Sequence, residues 1–292
     1  MPTHHLFSIL IANYNNGKYL MDAINSVRQQ TYTNWEIIIV DDCSTDNSRE
    51  VYQALEQDPQ IRIYYNEQNR GCGYTKRRCA ELAQGDLCGF LDPDDALLPD
   101  ALEVMVRAHA EHPDASLISS RYNLCQEDFT IMWTSPLHST EPLGLGCKEN
   151  YLEHKEHHAE PLACYKREAL RGHESISPNI LRAVDMDLYF KLEEQGKWYF
   201  IDKVLYNYRL FDGSLSVGHH KAVYWHIKVA EAAALRRGLT PEDVVDNIIS
   251  NTLKPYQERC KKLSDSKYYK FGYAIIHPME RVIRKIRKLC KK

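Results

Sequence analysis

The sequence predicts an α/β protein built on a doubly wound, mostly parallel sheet flanked by helices, with a helical C-terminal extension. Two observations predict it. Over residues 1–120, short apolar runs alternate with amphipathic stretches of helical period, and strict alternation of strand and helix makes right-handed βαβ units on a mainly parallel sheet. The apolar runs are also rich in Ile, Val, Leu or aromatics and bounded by polar turns, as buried strands are.

Taken in order, strands are predicted over 6–12, 36–40, 61–65, 87–91 and 115–119. Between them, Leu20, Ala23, Ile24 and Val27 recur at helical spacing, as do Val51, Ala54 and Leu55, then Ala80, Leu82 and Ala83 ahead of Gly85, then Leu102, Val104, Met105 and Val106. Ser44, Asp46 and Ser48 are placed to cap the second helix, and Asp100, after Pro99, the fourth. From Arg121 to Pro161 the pattern weakens, with Pro136, Pro142, Gly144 and Gly146 marking loops around a strand at 130–134. Helical character is predicted over 163–170 and 185–194, strands over 198–201 and 204–208, and helices from His220 onward, interrupted at 238–241 and 277–278. The domain reading is 1–218 for the α/β domain, with halves 1–120 and 121–218, and 219–292 for the helical extension.

Bulk composition narrows the class. The chain has 292 residues, 43% hydrophobic and 26% charged, enough for a sizeable core. A net charge of −3 argues against wholesale nucleic-acid binding. Nine cysteines are scattered from Cys43 to Cys290 without a C-x-x-C pair, so neither a disulfide framework nor a zinc ribbon is indicated and a reducing, cytoplasmic setting fits. The N-terminal apolar run is too short to span a bilayer and reads as a core strand.

Chemistry concentrates behind two strands. Asp41 and Asp42 follow the second, and Asp92, Asp94 and Asp95 follow the fourth, in GFLDPDDALLPD. Open α/β sheets bind ligands beyond the carboxyl ends of their strands, so both acidic groups face one crevice. Carboxylates 4 to 5 Å apart repel by roughly 3 to 4 kcal/mol at an effective dielectric near 20. Three of them exceed what capping a helix needs, and they suit a hard divalent cation, Mn²⁺ or Mg²⁺.

The segments FSILIANYN, IIIVDDCSTDNS, NEQNRGCGYTKRRCAELAQGD and FLDPDDALLPDAL stand in an order and spacing that resembles the nucleotide-diphospho-sugar transferases, and residues 5 to 218 look like a family 2 glycosyltransferase of the GT-A fold. The resemblance implies that Ala12, Asn13 and Tyr14 line the nucleobase site, although most relatives have Pro-Thr or Pro-Ser where this chain has Ala12-Asn13. It places Asp42, with Asp41 beside it, on the base. Arg70 and Lys76 face the donor nucleotide, the loop 69–73 bringing backbone N–H groups toward anionic oxygens. Asp92 and Asp94 lie toward the donor, and Asp94 and Asp95 hold the metal.

The same resemblance makes Asp185, in AVDMDLYFKLEEQGKW, the base that takes the acceptor proton, with Asp187 the runner-up and Val184 in place of the commoner Glu. In YNYRLFDGSLSVGHH, Arg209, Ser214 and Ser216 become donor phosphate contacts, and His219, or else His220, completes the metal shell. The implied reaction is inverting transfer from a nucleotide-diphosphate sugar, UDP favoured, to a hydroxyl of a glycan or lipid-linked acceptor, as in bacterial surface polysaccharide synthesis. The rivals are a nucleotidyltransferase, which would open with a glycine-rich basic loop where this chain has ANYNNGK, and a non-catalytic nucleotide-sugar binder.

Two further features stand apart. HKEHH, His154 to His158, lacks the H-E-x-x-H order of a helical metal site and reads as a solvated loop or an acceptor-facing lid. Residues 279–292 form a basic amphipathic pattern that suits either contact with an anionic membrane surface or docking on the chain itself.

Overall fold

The computed structural model describes residues 5–136, 161–171, 173–211 and 219–240, with only the backbone described over 219–223. These fall within one compact unit that runs to Val244. Ser214, Ser216, the His219 side chain, the HKEHH segment and the 279–292 tail lie outside the described residues.

The chain runs β1 (Phe7–Asn13), α1 (Gly17–Arg28), β2 (Trp35–Asp41), α2 (Ser48–Leu55), β3 (Ile61–Tyr65), α3 (Cys72–Leu82), β4 (Leu87–Phe90), β5 (Ala96–Leu97), α4 (Ala101–Glu111), β6 (Ala115–Cys125), β7 (Ile131–Thr134), β8 (Ala163–Lys166), a 3₁₀ turn (Arg167–Leu170), α5 (Val184–Glu193), β9 (Lys197–Arg209) and α6 (His219–Arg236). The sheet order is β3-β2-β1-β4-β8-β6-β9-β5, with β7 beside β6. Strands β3, β2, β1 and β4 are parallel, β6 and β9 are parallel, and β8 joins the two groups antiparallel to both β4 and β6.

Alternation along each strand feeds two cores. Phe7, Ile9, Ile11, Ile37 and Ile39 pack on one face under α1 and α4. Leu10, Ile38 and Val40 pack on the other with Cys79 and Ala83, below α3, and with Leu188 and Leu192 of α5. All seven residues of β2 are buried, which is why residues 37–40 run apolar without alternation.

Three expectations change. Residues 163–166 form a strand and only 167–170 a helical turn, because Cys88 and Ile118 pair on either side of the 163–166 backbone. The strands predicted over 198–201 and 204–208 are one, β9, which follows β6 through register shifts. Asp100 does not cap α4 with its side chain but pairs with Lys203. At α2 the N-cap position is Asn47, without a side-chain cap bond, and Asp46, one residue earlier, accepts Ser48 N–H at 3.0 Å and Gly17 N–H at 2.8 Å, serving the starts of α2 and α1 together.

Gly71 and Gly73 set the start of α3. Gly71 has φ +86, a backbone region costly for other residues. Gly73 lies in the first turn of α3 and donates its N–H to Ile180 O at 3.1 Å. A Cβ there would come within 2.3 Å of that oxygen. Gly73→Ala is therefore expected to destabilise the fold. Overpacking costs about 1–3 kcal/mol, more than the roughly 0.5–1 kcal/mol that alanine gains in a helix. Chemical denaturation of the variant would measure it, and a midpoint at or above the wild-type value would refute the close contact.

Candidate active site

The carboxyl ends of β1, β2 and β4 meet along one rim of the sheet, with Asn13 opposite Asp41 and Leu10 opposite Phe90. The sequence-predicted residues gather there in two tiers. The lower tier is buried. Asn13 is fully buried and donates to Ser48 Oγ at 2.9 Å and to the Tyr52 hydroxyl at 2.8 Å. Asp41 accepts Ser44 N–H at 2.9 Å and the Tyr52 hydroxyl at 2.7 Å. Burial, then the Asp41 charge, push the Tyr52 hydroxyl upward, so it stays a proton donor to that carboxylate.

Asp42 holds the glycine loop. It accepts Arg70 N–H and Gly71 N–H, both at 2.8 Å, and the Asn66 amide at 2.8 Å. The anionic oxygens that the loop's N–H groups meet thus belong to Asp42 itself. Arg70 is left exposed, its guanidinium 4.7 Å above the Tyr74 ring. Tyr14 is exposed at the end of β1 and Ala12 is partly buried.

The acidic turn after β4 divides in the same way. Asp95 is buried, accepting the Tyr206 hydroxyl at 2.7 Å and Arg209 N–H at 2.7 Å. Tyr206 also accepts Asp92 N–H at 3.2 Å, so one hydroxyl ties both ends of the turn. Burial, then the charges of Asp94 and Asp92, hold the Asp95 carboxyl well above the usual range. Asp92 and Asp94 are only partly buried and open toward the crevice. Burial and the Asp92 charge push Asp94 up to about 6.

Asp185 comes from the first turn of α5 and reaches this group through Lys76. The Lys76 ammonium lies 2.8 Å from Asp185 Oδ1 and 3.0 Å from Asp92 Oδ1. Burial pulls that ammonium down, but Asp185 and Asp92 more than offset it and hold Lys76 charged, well above its ordinary range. Asp187 is different: buried, it accepts Ser177 N–H and Lys191 Nζ, both at 2.8 Å, and so anchors α5. Among the two candidate bases, Asp185 alone faces the crevice, its side chain 46% exposed.

Arg209 turns its side chain to two aromatic rings and to Asp22. Its guanidinium is stacked 4.5 Å from the Tyr19 ring and 4.0 Å from the Phe129 ring and pairs with Asp22 at 2.6 Å. What sequence reasoning missed is Tyr206 and the Lys76 bridge. Their partners lie 111 and 109 residues away, and no local pattern links them.

A cation fits the upper tier. Among the described residues no group of three or more His, Cys, Asp and Glu is arranged to enclose a metal. Magnesium-type ions are instead commonly held by one or two carboxylates together with substrate phosphates, and the chemistry of Asp94, a partly buried carboxylate crowded by Asp92, suits that mode.

The sheet has the GT-A fold that the sequence resembles. Staphylococcus aureus TarS 1–349, solved in complex with UDP-GlcNAc, shares the fold with a TM-score of 0.68 over 85% of this chain and 72% of its own, at 17% identity. The mannosyltransferase PcManGT of Pyrobaculum calidifontis, solved with GDP-Man and Mn²⁺, does so with a TM-score of 0.58 over 94% and 85%, at 17% identity. The sequence goes further than fold. The profile of glycosyl transferase family 2 matches residues 8–173. The putative teichuronic acid biosynthesis glycosyltransferase TuaG of Bacillus subtilis (strain 168) is 30% identical over 228 residues, 74% of this chain and 84% of that protein. The chain belongs to glycosyl transferase family 2, and its reaction is glycosyl transfer; this sets aside nucleotidyl transfer. The uncharacterized protein y4gI of Sinorhizobium fredii and the chondroitin synthase of Escherichia coli are matched over only 24% and 30% of their own length.

The Asp94 environment has a consequence for stability. Its folded-state pKa of about 6 lies above the ordinary 3.8, so the folded protein binds this proton more tightly and loses stability as pH climbs from about 4 to about 6. Asp94→Asn is expected to stabilise the metal-free protein at pH 7 by at most about 2–3 kcal/mol, with the gain vanishing below about pH 4. Denaturant midpoints across that range would test it; a gain independent of pH would contradict it.

Proposed function

We propose that this chain moves a sugar from a nucleotide-diphosphate donor, UDP-linked by preference, to a hydroxyl of a glycan or lipid-linked acceptor, with inversion at the anomeric carbon, in the assembly of a bacterial surface polysaccharide. The observation that carries the reading is the half-exposed carboxylate pair, Asp92 and Asp185, held about one ammonium at the carboxyl end of β4. The UDP-GlcNAc bound by TarS and the teichuronic acid role in the TuaG name support donor and pathway class.

Asp185 takes the proton of the acceptor hydroxyl as its oxygen bonds to C1. The C1–O bond to the diphosphate breaks on the opposite side, the electron pair leaving with the nucleotide. Asp94 would hold a divalent cation, Mn²⁺ or Mg²⁺, with Asp92 beside it and Asp95 fixing the turn from beneath. Such an ion, when bound, stabilises the negative charge of the departing diphosphate. Tyr14 and Ala12 offer the surface for the base, Asp42, Asp41 and Asn13 supporting it from below, and Arg70 is free to swing onto the nucleotide. Arg209 would have to leave the Tyr19–Phe129 stack to meet a phosphate, so we assign it first to holding the Asp95 turn.

Calorimetry of UDP with and without Mn²⁺, and UDP release from a panel of UDP-sugars, test the donor and metal assignments. Asp185→Asn is expected to retain metal-supported UDP binding within about threefold and to lose turnover by at least about 10²-fold, the range of a general base. Normal turnover of that variant would remove Asp185 from the mechanism.

A further inference from the structure

We propose that Lys76 is a positioning residue, which aims Asp185 at the acceptor by tying it to Asp92 rather than by serving the donor; the inference rests on the glycosyl-transfer reading above. Lys76 is 5% exposed, and an ammonium has three donors. Two are directed to carboxylates, at 2.8 Å to Asp185 and 3.0 Å to Asp92, and the Phe90 ring lies 5.1 Å from the charge. The two aspartates come from different elements, the β4 turn and α5, and this contact relates their directions.

The fold delivers Lys76 to that place by backbone contacts. Gly73, three residues earlier on α3, abuts Ile180 O, which sets α3 directly against the loop leading into α5. The body of α5 is held independently: Asp187 fastens its first turn to Ser177 and Lys191, and Arg237 pairs with Glu193 at its far end at 2.8 Å. A fixed helix still leaves the Asp185 side chain free to rotate, since 46% of it is in solvent. Lys76 supplies the remaining restraint, and a misplacement of about 1 Å at such a group costs roughly 10²-fold in rate.

The test compares Lys76→Met, Lys76→Arg, Asp185→Asn and the double variant Lys76→Met/Asp185→Asn, using UDP with Mn²⁺ for binding and UDP release from the best UDP-sugar of the panel for turnover. Positioning requires that Lys76→Met lower kcat about 10²-fold while UDP affinity changes less than about threefold, that Lys76→Arg restore part of the loss, and that the double variant be no slower than Asp185→Asn. Such non-additivity is the mark of residues acting as a unit. Three results would overturn the proposal: UDP affinity falling in step with turnover, which would make Lys76 a donor ligand; losses that multiply in the double variant; or wild-type kcat in Lys76→Met. Normal turnover of Asp185→Asn would instead sink the base assignment, and it is read from a different variant.

Discussion

Lys76 is buried, yet its ammonium stands between Asp92 and Asp185, so one charge relates the side chains that α3, the β4 turn and α5 bring to the crevice. At about 3 Å and an effective dielectric near 20, each pair attracts by roughly 5 kcal/mol before other terms. Desolvating the ammonium removes several kcal/mol of this, and water around the two half-exposed carboxylates screens more. What survives is direction rather than large stability: three elements from distant parts of the chain share a contact that none can relax alone.

The other acidic residues of the rim solve a different problem. Strands that end in a crevice leave backbone N–H groups of the following loops without sheet partners, and buried orphans are costly. Asp41, Asp42 and Asp95 meet that need, accepting from Ser44, from Arg70 and Gly71, and from Arg209. Tyr52 and Tyr206 complete the carboxylates they touch. An acidic motif that reads as a single functional unit is therefore part buried scaffold and part accessible surface. Burial separates the two: Asp95 is sealed beneath the turn, whereas Asp92 and Asp94 open onto the crevice.

Much of the fold was legible because it follows from period and punctuation. The first four strands and the four helices after them are found within a few residues of their predicted positions, since Ile-rich runs such as 36–40 have no other stable place than the middle of a two-faced core. The second half was harder. Residues 163–166 look helical in isolation, and only pairing with β4 and β6 extends them. The long β9 hides as two short runs because its register against β6 shifts where Asp202 and Lys203 are exposed.

The sequence alone determined which residues reach the rim: a carboxylate directly behind a buried strand must lie at the strand's end, and local chain geometry suffices to put it there. It also carried enough of the family's spacing for the class of reaction. Only the tertiary structure decided how each carboxylate is held, because that depends on partners more than a hundred residues away, Tyr206 for Asp95 and Lys76 for Asp185. Whether a charged group is sealed by hydrogen bonds or left facing water depends on how distant elements pack around it, and no window of sequence contains that information.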